Sequence, residues 1–479
     1  MTERVSEKPQ IPPLGGLCTF EEASRMSLSV EDCVDWLKRL HYVFRRLHQI
    51  FTSHITAEPI YELKTAFSLH AHLCAEHAQA IRTRVSEMRE PPLGLEVVPH
   101  PALELACDEI LCAPTTQERC LGLYEVLLPA LNEAIQDYLE TTNRLADAPS
   151  VRILRFAQLE LFDMLEFGQK ALATWEKVSG DEQQHPEKTA AYYTCLWGAL
   201  HAAGGLSGRA EITTPAPAPV YSTTPFKYDR VPQRDTRFQD SFNAGVNPEA
   251  FLYNPDFSPR DKTLMMFYKR IREIDVPEMM ASILVEMPHK PWGFKRDMTR
   301  QLWDEARHAM LGEVGFRQAG IDWTRIPISF IWSYNLNTQL TAQERHAVLF
   351  YIEQGLMPKS GKRYEWEVAK ASGNPLAALF QDFDWADEVL HAQIGREWYV
   401  KDFGDLNGAM AYGDKCWSKV LSHWREYIDK GLTQHRNWWP EIYQQACRNW
   451  GVEPDPRALA FKETYETIRA DLKEITGSA

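Results

Sequence analysis

The sequence predicts an all-α protein built as two up-down helical bundles joined by a long Pro-rich linker, with a metal site in the second bundle. Three observations carry this expectation. Apolar residues recur at three- and four-residue steps over most of the chain. Strand signals are weak throughout. One composition shift, at residues 204–260, separates two helical stretches. The organisation that follows is an N-terminal bundle at 1–203, an extended linker at 204–260, a metal-binding bundle at 261–403 and a C-terminal helical extension at 404–479.

In the N-terminal stretch, helices are expected at 31–56, 60–89, 118–145 and 150–178. The breaks fall at Glu58-Pro59, Pro91-Pro92 and Ala148-Pro149, because proline cannot donate into a helix and restricts the residue before it. Four helices of this length form an antiparallel bundle. The linker holds TTPAPAPVYSTTPFKYDRVPQRD, in which Pro215, Pro217 and Pro219 favour extended backbone. Its aromatics Tyr221, Phe226 and Tyr228 are expected to pack along a surface. In the second stretch, helices are expected at 262–287, 291–319, 327–356 and 375–400, then at 405–431, 437–450 and 456–475. The two halves read as distant copies of one bundle.

Composition excludes several classes. Hydrophobic residues at 44% and charged residues at 25% of 479 allow a large core, so disorder throughout is excluded. A net charge of −14 has the wrong sign for broad nucleic-acid binding. The nine cysteines include no C-x-x-C pair, which predicts reduced thiols and no cysteine zinc site. No run of about 18 uncharged apolar residues is present, so no membrane span is expected. The opening MTERVSEKPQIPPLGG is polar and does not read as a secretory signal, so a cytoplasmic location is expected.

The chemistry is concentrated in the second bundle. DEARH at 304–308 and DEVLH at 387–391 each hold Glu-x-x-His on an expected helix. Three residues advance a helix by about 300°, so Glu305 and His308 share one face, as do Glu388 and His391. One such motif is weak evidence. Two of them 83 residues apart, each preceded by Asp, are far more specific. With one Glu from each remaining helix they compose a dinuclear carboxylate site. In an antiparallel hairpin, ligands at one height lie equally far from the loop. Glu353 and the 388/391 motif have their midpoint near 371, beside the expected loop at 372–375. Glu273 and the 305/308 motif have theirs near 290, inside Pro288–Pro291. Glu278 centres less well and stays as the alternative to Glu273.

The expected ligands are therefore Glu273, Glu305, His308, Glu353, Glu388 and His391, with Glu278 or Asp384 as alternative or additional ones. Carboxylate and imidazole donors without thiolate suit iron or manganese. Metal-bound imidazole normally donates its other N–H to a carboxylate, a role assigned here to Asp304 and Asp387. His346, two turns before Glu353, is a candidate for the pocket, as is Arg307 inside the first motif. No Glu-x-x-His occurs around His70 and His77, so the N-terminal half is expected to be metal-free.

These motifs resemble those of ferritin-like proteins related to bacterial tRNA hydroxylase. They resemble especially an uncharacterised bacterial group with helices reading E-x-x-x-I-E, D-E-x-R-H, E-x-R-G-L and D-E-x-x-H-x-x-x-G-x-x-W. The resemblance covers about residues 262–400 and matches the six ligand positions one by one. Pro277-Glu278 replaces an Ile-Glu type pair, which predicts a kink there. The resemblance implies two ferritin-like bundles and a non-haem diiron, dioxygen-dependent oxygenase or oxidase. Two Fe ions are implied, with Mn/Fe or Mn as variants and O2 as co-substrate. The reaction classes are hydroxylation, N-oxygenation, desaturation and C–C cleavage of a small organic substrate, with an external electron donor. The alternatives are a ferroxidase or iron-handling protein and a metal-stabilised scaffold without catalysis. A homodimer is compatible with the sequence.

Overall fold

The computed structural model describes residues 11–89, 94–179, 186–212, 214–234, 236–243, 245–359, 361–421 and 425–464. All regular structure among them is helical. The chain forms two compact units: residues 1–50 with 73–227, and residues 51–72 with 228–479. This division departs from the sequence expectation, which placed 51–72 with the N-terminal bundle.

The first unit contains parts of α1 (Val30–Ile55) and α2 (Tyr61–Glu87), and then α3 (Pro101–Leu111). Next, α4 (Thr116–Leu121) runs through a π stretch into α5 (Leu128–Thr141), and α6 (Ala148–Ser179) and α7 (Pro186–Ala202) follow. The sequence reading missed α3 and α7. The buried carboxylate of Asp147 ties the α5–α6 turn, accepting from Tyr138 Oη at 2.7 Å, Thr142 Oγ1 at 3.0 Å and Arg84 at 3.2 Å. His77 meets Glu160 at 2.7 Å and packs on Phe44.

The Pro-rich stretch is anchored by Glu109 of α3. Its fully buried carboxylate accepts from the backbone N–H of Val220 at 3.0 Å, Tyr221 at 2.9 Å and Ser222 at 2.8 Å. Tyr221 also bonds Glu118 and packs its ring on Tyr192. Extended backbone with prolines has no ladder of its own, so these donors need this acceptor. Glu109→Ala strands three donors at about 1–3 kcal/mol each. The expected result is amide exchange at Val220–Ser222 faster by at least about tenfold, read by hydrogen–deuterium exchange. Unchanged protection would remove the anchor role.

In the second unit, α8 (Pro259–Arg272) and α9 (Asp275–Glu286) form one broken arm, and α10 (Trp292–Gln318) returns along both. The next elements are α11 (Ile331–Gln339), α12 (Ala342–Gly355), α13 (Lys362–Ala371) and α14 (Pro375–Gly395). The expected helix at 327–356 is thus two helices. Residues 358–371, left without a helix by the sequence reading, hold α13. α15 (Leu406–Leu421) packs on α12, and α16 (Trp439–Trp450) carries Trp439, Tyr443 and Cys447 into the core. The described part of the helix expected at 456–475 is helical only at Pro456–Leu459; residues 465–475 lie outside the described residues. No helix among the described residues is long and apolar enough to cross a membrane.

Close packing of α8 on α10 depends on glycine. A Cβ on Gly312 would stand 2.3 Å from the backbone N of Ile271, and one on Gly315 would enter the Phe267 ring. The missing side chains let the two backbones approach, which sets α8's end beside the middle of α10.

The tip 51–72 belongs to the second unit through a buried ionic knot. Lys64 Nζ donates to Glu278 and to the Gln233 carbonyl at 2.8 Å. Arg234 pairs with Glu278 at 3.2 Å and with Asp275. Ser333 donates to Glu278 at 2.6 Å.

Candidate metal centre

Each arm brings a carboxylate or a Glu-x-x-His pair to one height by local chemistry. Helix α8 starts at Ser258, whose side chain accepts from Asp261 N, with Pro259 at the first helical position. It stops because Pro277 has no N–H for the carbonyl of Glu273, which accepts instead from Val276 at 3.0 Å. The break therefore lies at Glu273–Ile274 and not at the expected 277–278: the missing donor is felt four residues upstream. Helix α12 begins with a Thr341–Glu344 capping box and α14 with Asn374 accepting from Leu376 and Ala377. Glu353 lies in the last turn of α12, and Glu388 and His391 lie past the middle of α14.

The structure brings the six expected residues together. One ligand atom each from Glu305, Glu353, Glu388 and His391 lies within 4.8 Å of the others, and the same holds for Glu273, Glu305 and His308. Glu305 is shared: one oxygen is 3.1 Å from His391 Nδ1 and the other 3.6 Å from His308 Nδ1. Asp384 enters a third group, with His308 and Glu388.

The outer nitrogens are engaged crosswise. His308 Nε2 is 3.0 Å from Asp387, and His391 Nε2 is 3.4 Å from Asp304. An ionised carboxylate only accepts, so each Nε2 carries a hydrogen, and a ring that gives up its other proton turns the Nδ1 lone pair inward. Arg307 clamps the two aspartates, at 2.8 Å to Asp304 and 2.6 Å to Asp387.

The donor set fits divalent metal. Four buried inward atoms, Glu273 Oε2, Glu388 Oε2, His308 Nδ1 and His391 Nδ1, have no hydrogen-bond partner. Such atoms are costly unless a cation satisfies them. Burial would lower the His308 pKa, but Asp387, Glu273 and Glu305 push it up to about 10. His391 is likewise raised, against burial, by Asp304, Glu305 and Glu388. Burial, with the Glu388 charge, raises Glu353 well above the carboxylate range. A metal bound here displaces protons and takes over their charge-balancing role.

Other candidates sit differently. Glu278 is held in the ionic knot by Lys64, Arg234 and Ser333, and belongs to none of the ligand groups among the described residues. His346 does not line the cavity at the cluster. It packs against Phe294 and Tyr399, and burial pushes its pKa down to about 3. Arg307 is also absent from the cavity wall and serves the two aspartates.

Sequence reasoning missed two buried cations at the cluster. Arg270 ion-pairs with Glu273 at 2.9 Å and with Asp384. Lys362 Nζ is 3.0 Å from both Asp384 oxygens and 2.8 Å from Glu388. Arg270 was findable, one turn before Glu273. Lys362 was not, because the hairpin argument treated its segment as a connection.

A cavity of about 480 Å³ opens beside the cluster. Glu273, Glu305, Glu353 and Glu388 line one part of it, Met279, Leu336, Leu349, Ile352 and stacked Trp332 and Trp417 form an apolar wall, and Asn247, Glu249, Asp275 and Ser333 line it as well. Lys269 and Arg272 also border it. Comparison with protein-family models, curated proteins and solved structures returns no match.

Proposed function

We propose that this protein is a non-haem, dioxygen-dependent oxidoreductase with two iron ions, or Mn/Fe or Mn, in a ferritin-like bundle at 261–403. Its substrate is a small, mainly apolar organic molecule. The observation that carries this reading is the convergence of four glutamates and two histidines in one cluster, whose four glutamates line a cavity with an apolar wall. When bound, reduced iron would supply dioxygen activation and oxidising power.

The chain's own residues set the conditions. Glu305 reaches toward both imidazoles, which suits a carboxylate shared by two ions. Asp304 and Asp387 fix the imidazole tautomers and raise their basicity. The aromatic and aliphatic wall excludes water and orients substrate carbon toward the carboxylate face. A ferroxidase needs only an ion path, so an apolar cavity of this size favours an organic substrate. Hydroxylation, N-oxygenation, desaturation and C–C cleavage all suit this arrangement, with an external electron donor.

Metal analysis after iron-replete expression tests the core of the proposal. About two iron or manganese ions per chain are expected, and fewer than about one would overturn the reading. Admitting dioxygen to the anaerobic ferrous protein should produce a new near-ultraviolet or visible absorption. A metal-loaded but silent protein would point to the scaffold alternative.

A further inference from the structure

We propose that the two metal positions are unequal by construction, because Lys362 and Arg270 already supply positive charge to the His308 side. A divalent ion then binds first among Glu305, Glu353, Glu388 and His391. The second position fills only when the Lys362 ammonium swings away from Glu388. This inference rests on the metal-centre reading above and adds an order of loading to it.

The asymmetry is visible in the partners of each carboxylate. On the His308 side, Arg270 and Lys362 are both fully buried. Arg270 ion-pairs with Glu273 at 2.9 Å and with Asp384, and Lys362 donates to both Asp384 oxygens. Lys362 Nζ lies 3.0 Å from Asp384, 2.8 Å from Glu388 Oε1 and 4.0 Å from Glu273 Oε1. One ammonium thus faces carboxylates of α14 and of the α8–α9 break together. Lone pairs accepting from N–H are not available to a metal, and an ion on the same oxygens would stand beside a like charge.

The His391 side differs. Among the described residues, Glu305 is ion-paired only to the two imidazoles. Glu353 accepts from the neutral amide of Gln301 at 3.0 Å. Of the four residues on this side, only Glu388 meets an ammonium among the described residues, through Oε1 to Lys362, while its Oε2, 3.5 Å from His391 Nδ1, has no hydrogen-bond partner.

Lys362 is held where it is by the fold. It opens α13, which packs on α8 and α14, and Glu365 one turn later pairs with Lys269 at 2.5 Å. Its ammonium therefore reaches the cluster as a built-in neighbour. Its four-carbon stem still allows the head to retract without moving the helix.

Anaerobic titration of the full-length protein with Mn2+ alone, read by loss of the free-ion electron paramagnetic resonance signal, tests this. Wild type should bind a first ion at least about tenfold more tightly than a second. In Lys362→Met the second step should tighten by about tenfold or more, with the first little changed, and Lys362→Arg should keep the inequality. Equal steps in wild type would overturn the proposal while leaving the dinuclear reading intact, and so would a step ratio unaltered in Lys362→Met. If Lys362→Met fails to fold by circular dichroism, the wild-type step ratio still decides. Failure of wild type to bind any Mn2+ or Fe2+ would overturn the metal-centre reading itself.

Discussion

Glu305→Ala is expected to remove both metal ions while leaving the helical fold in place. Glu305 is the residue that faces both imidazoles, at 3.1 Å from His391 Nδ1 and 3.6 Å from His308 Nδ1. It belongs to two of the ligand groups. Loss of a carboxylate that merely supports a ligand costs about 10–100-fold in metal affinity. Loss of the shared ligand should cost at least about 100-fold at each position. The metal-free chain should keep its helices but melt at a lower temperature, because burial would raise the Glu305 pKa yet His308 and His391 hold it below the carboxylate range, and its loss leaves both buried imidazoles underpaired. Metal content by mass spectrometry and a far-ultraviolet circular dichroism melt check both halves. A variant that keeps two metals per chain would exclude Glu305 as the shared ligand.

The second large effect lies outside the cluster. Glu278→Ala should destabilise the second unit by about 3–5 kcal/mol, the typical cost of breaking a buried ion pair from one side. The carboxylate is fully buried and takes Lys64, Arg234 at 3.2 Å and Ser333 at 2.6 Å. Burial alone would raise its pKa, but the Arg234 and Lys64 charges pull it below the usual carboxylate range. Removing it leaves two buried cations underpaired. Arg234 retains Asp275 and two carbonyls, whereas Lys64 keeps the Gln233 carbonyl. At about 2–4 °C per kcal/mol for a unit of this size, the melting temperature should fall by about 6–20 °C. Metal stoichiometry of the folded fraction should be unchanged. Metal loss at an unaltered melting temperature would instead restore Glu278 as a ligand.

These two glutamates mark where sequence reasoning reached its limit. Glu273 and Glu278 lie on the same expected helix, five residues apart. Symmetry about the turn preferred the first, but only the packing separates their roles. Pro277 breaks the arm just after Glu273, and Lys64, 214 residues away in sequence from Glu278, captures the other. The hairpin geometry behind that choice held for the α9–α10 turn. It did not describe the α12–α14 connection, which contains α13 and delivers Lys362 to Glu388. His346 shares a face with Glu353 two turns away, yet it turns into Phe294 and Tyr399.

What the sequence determined by itself is local. The all-helical class follows from apolar periodicity, most breaks follow from proline, and the Glu-x-x-His pairs follow from the three-residue step of a helix. Each is written within about one or two turns, where backbone hydrogen bonds and side-chain direction decide the outcome. The tertiary structure decided which charges meet. It assigned residues 51–72 to the second unit, Glu278 to a structural knot, and Arg270 and Lys362 to the ligand cluster. The physical reason is desolvation. A buried carboxylate is stable only with the partner that packing brings to it, and that partner can lie anywhere in the chain.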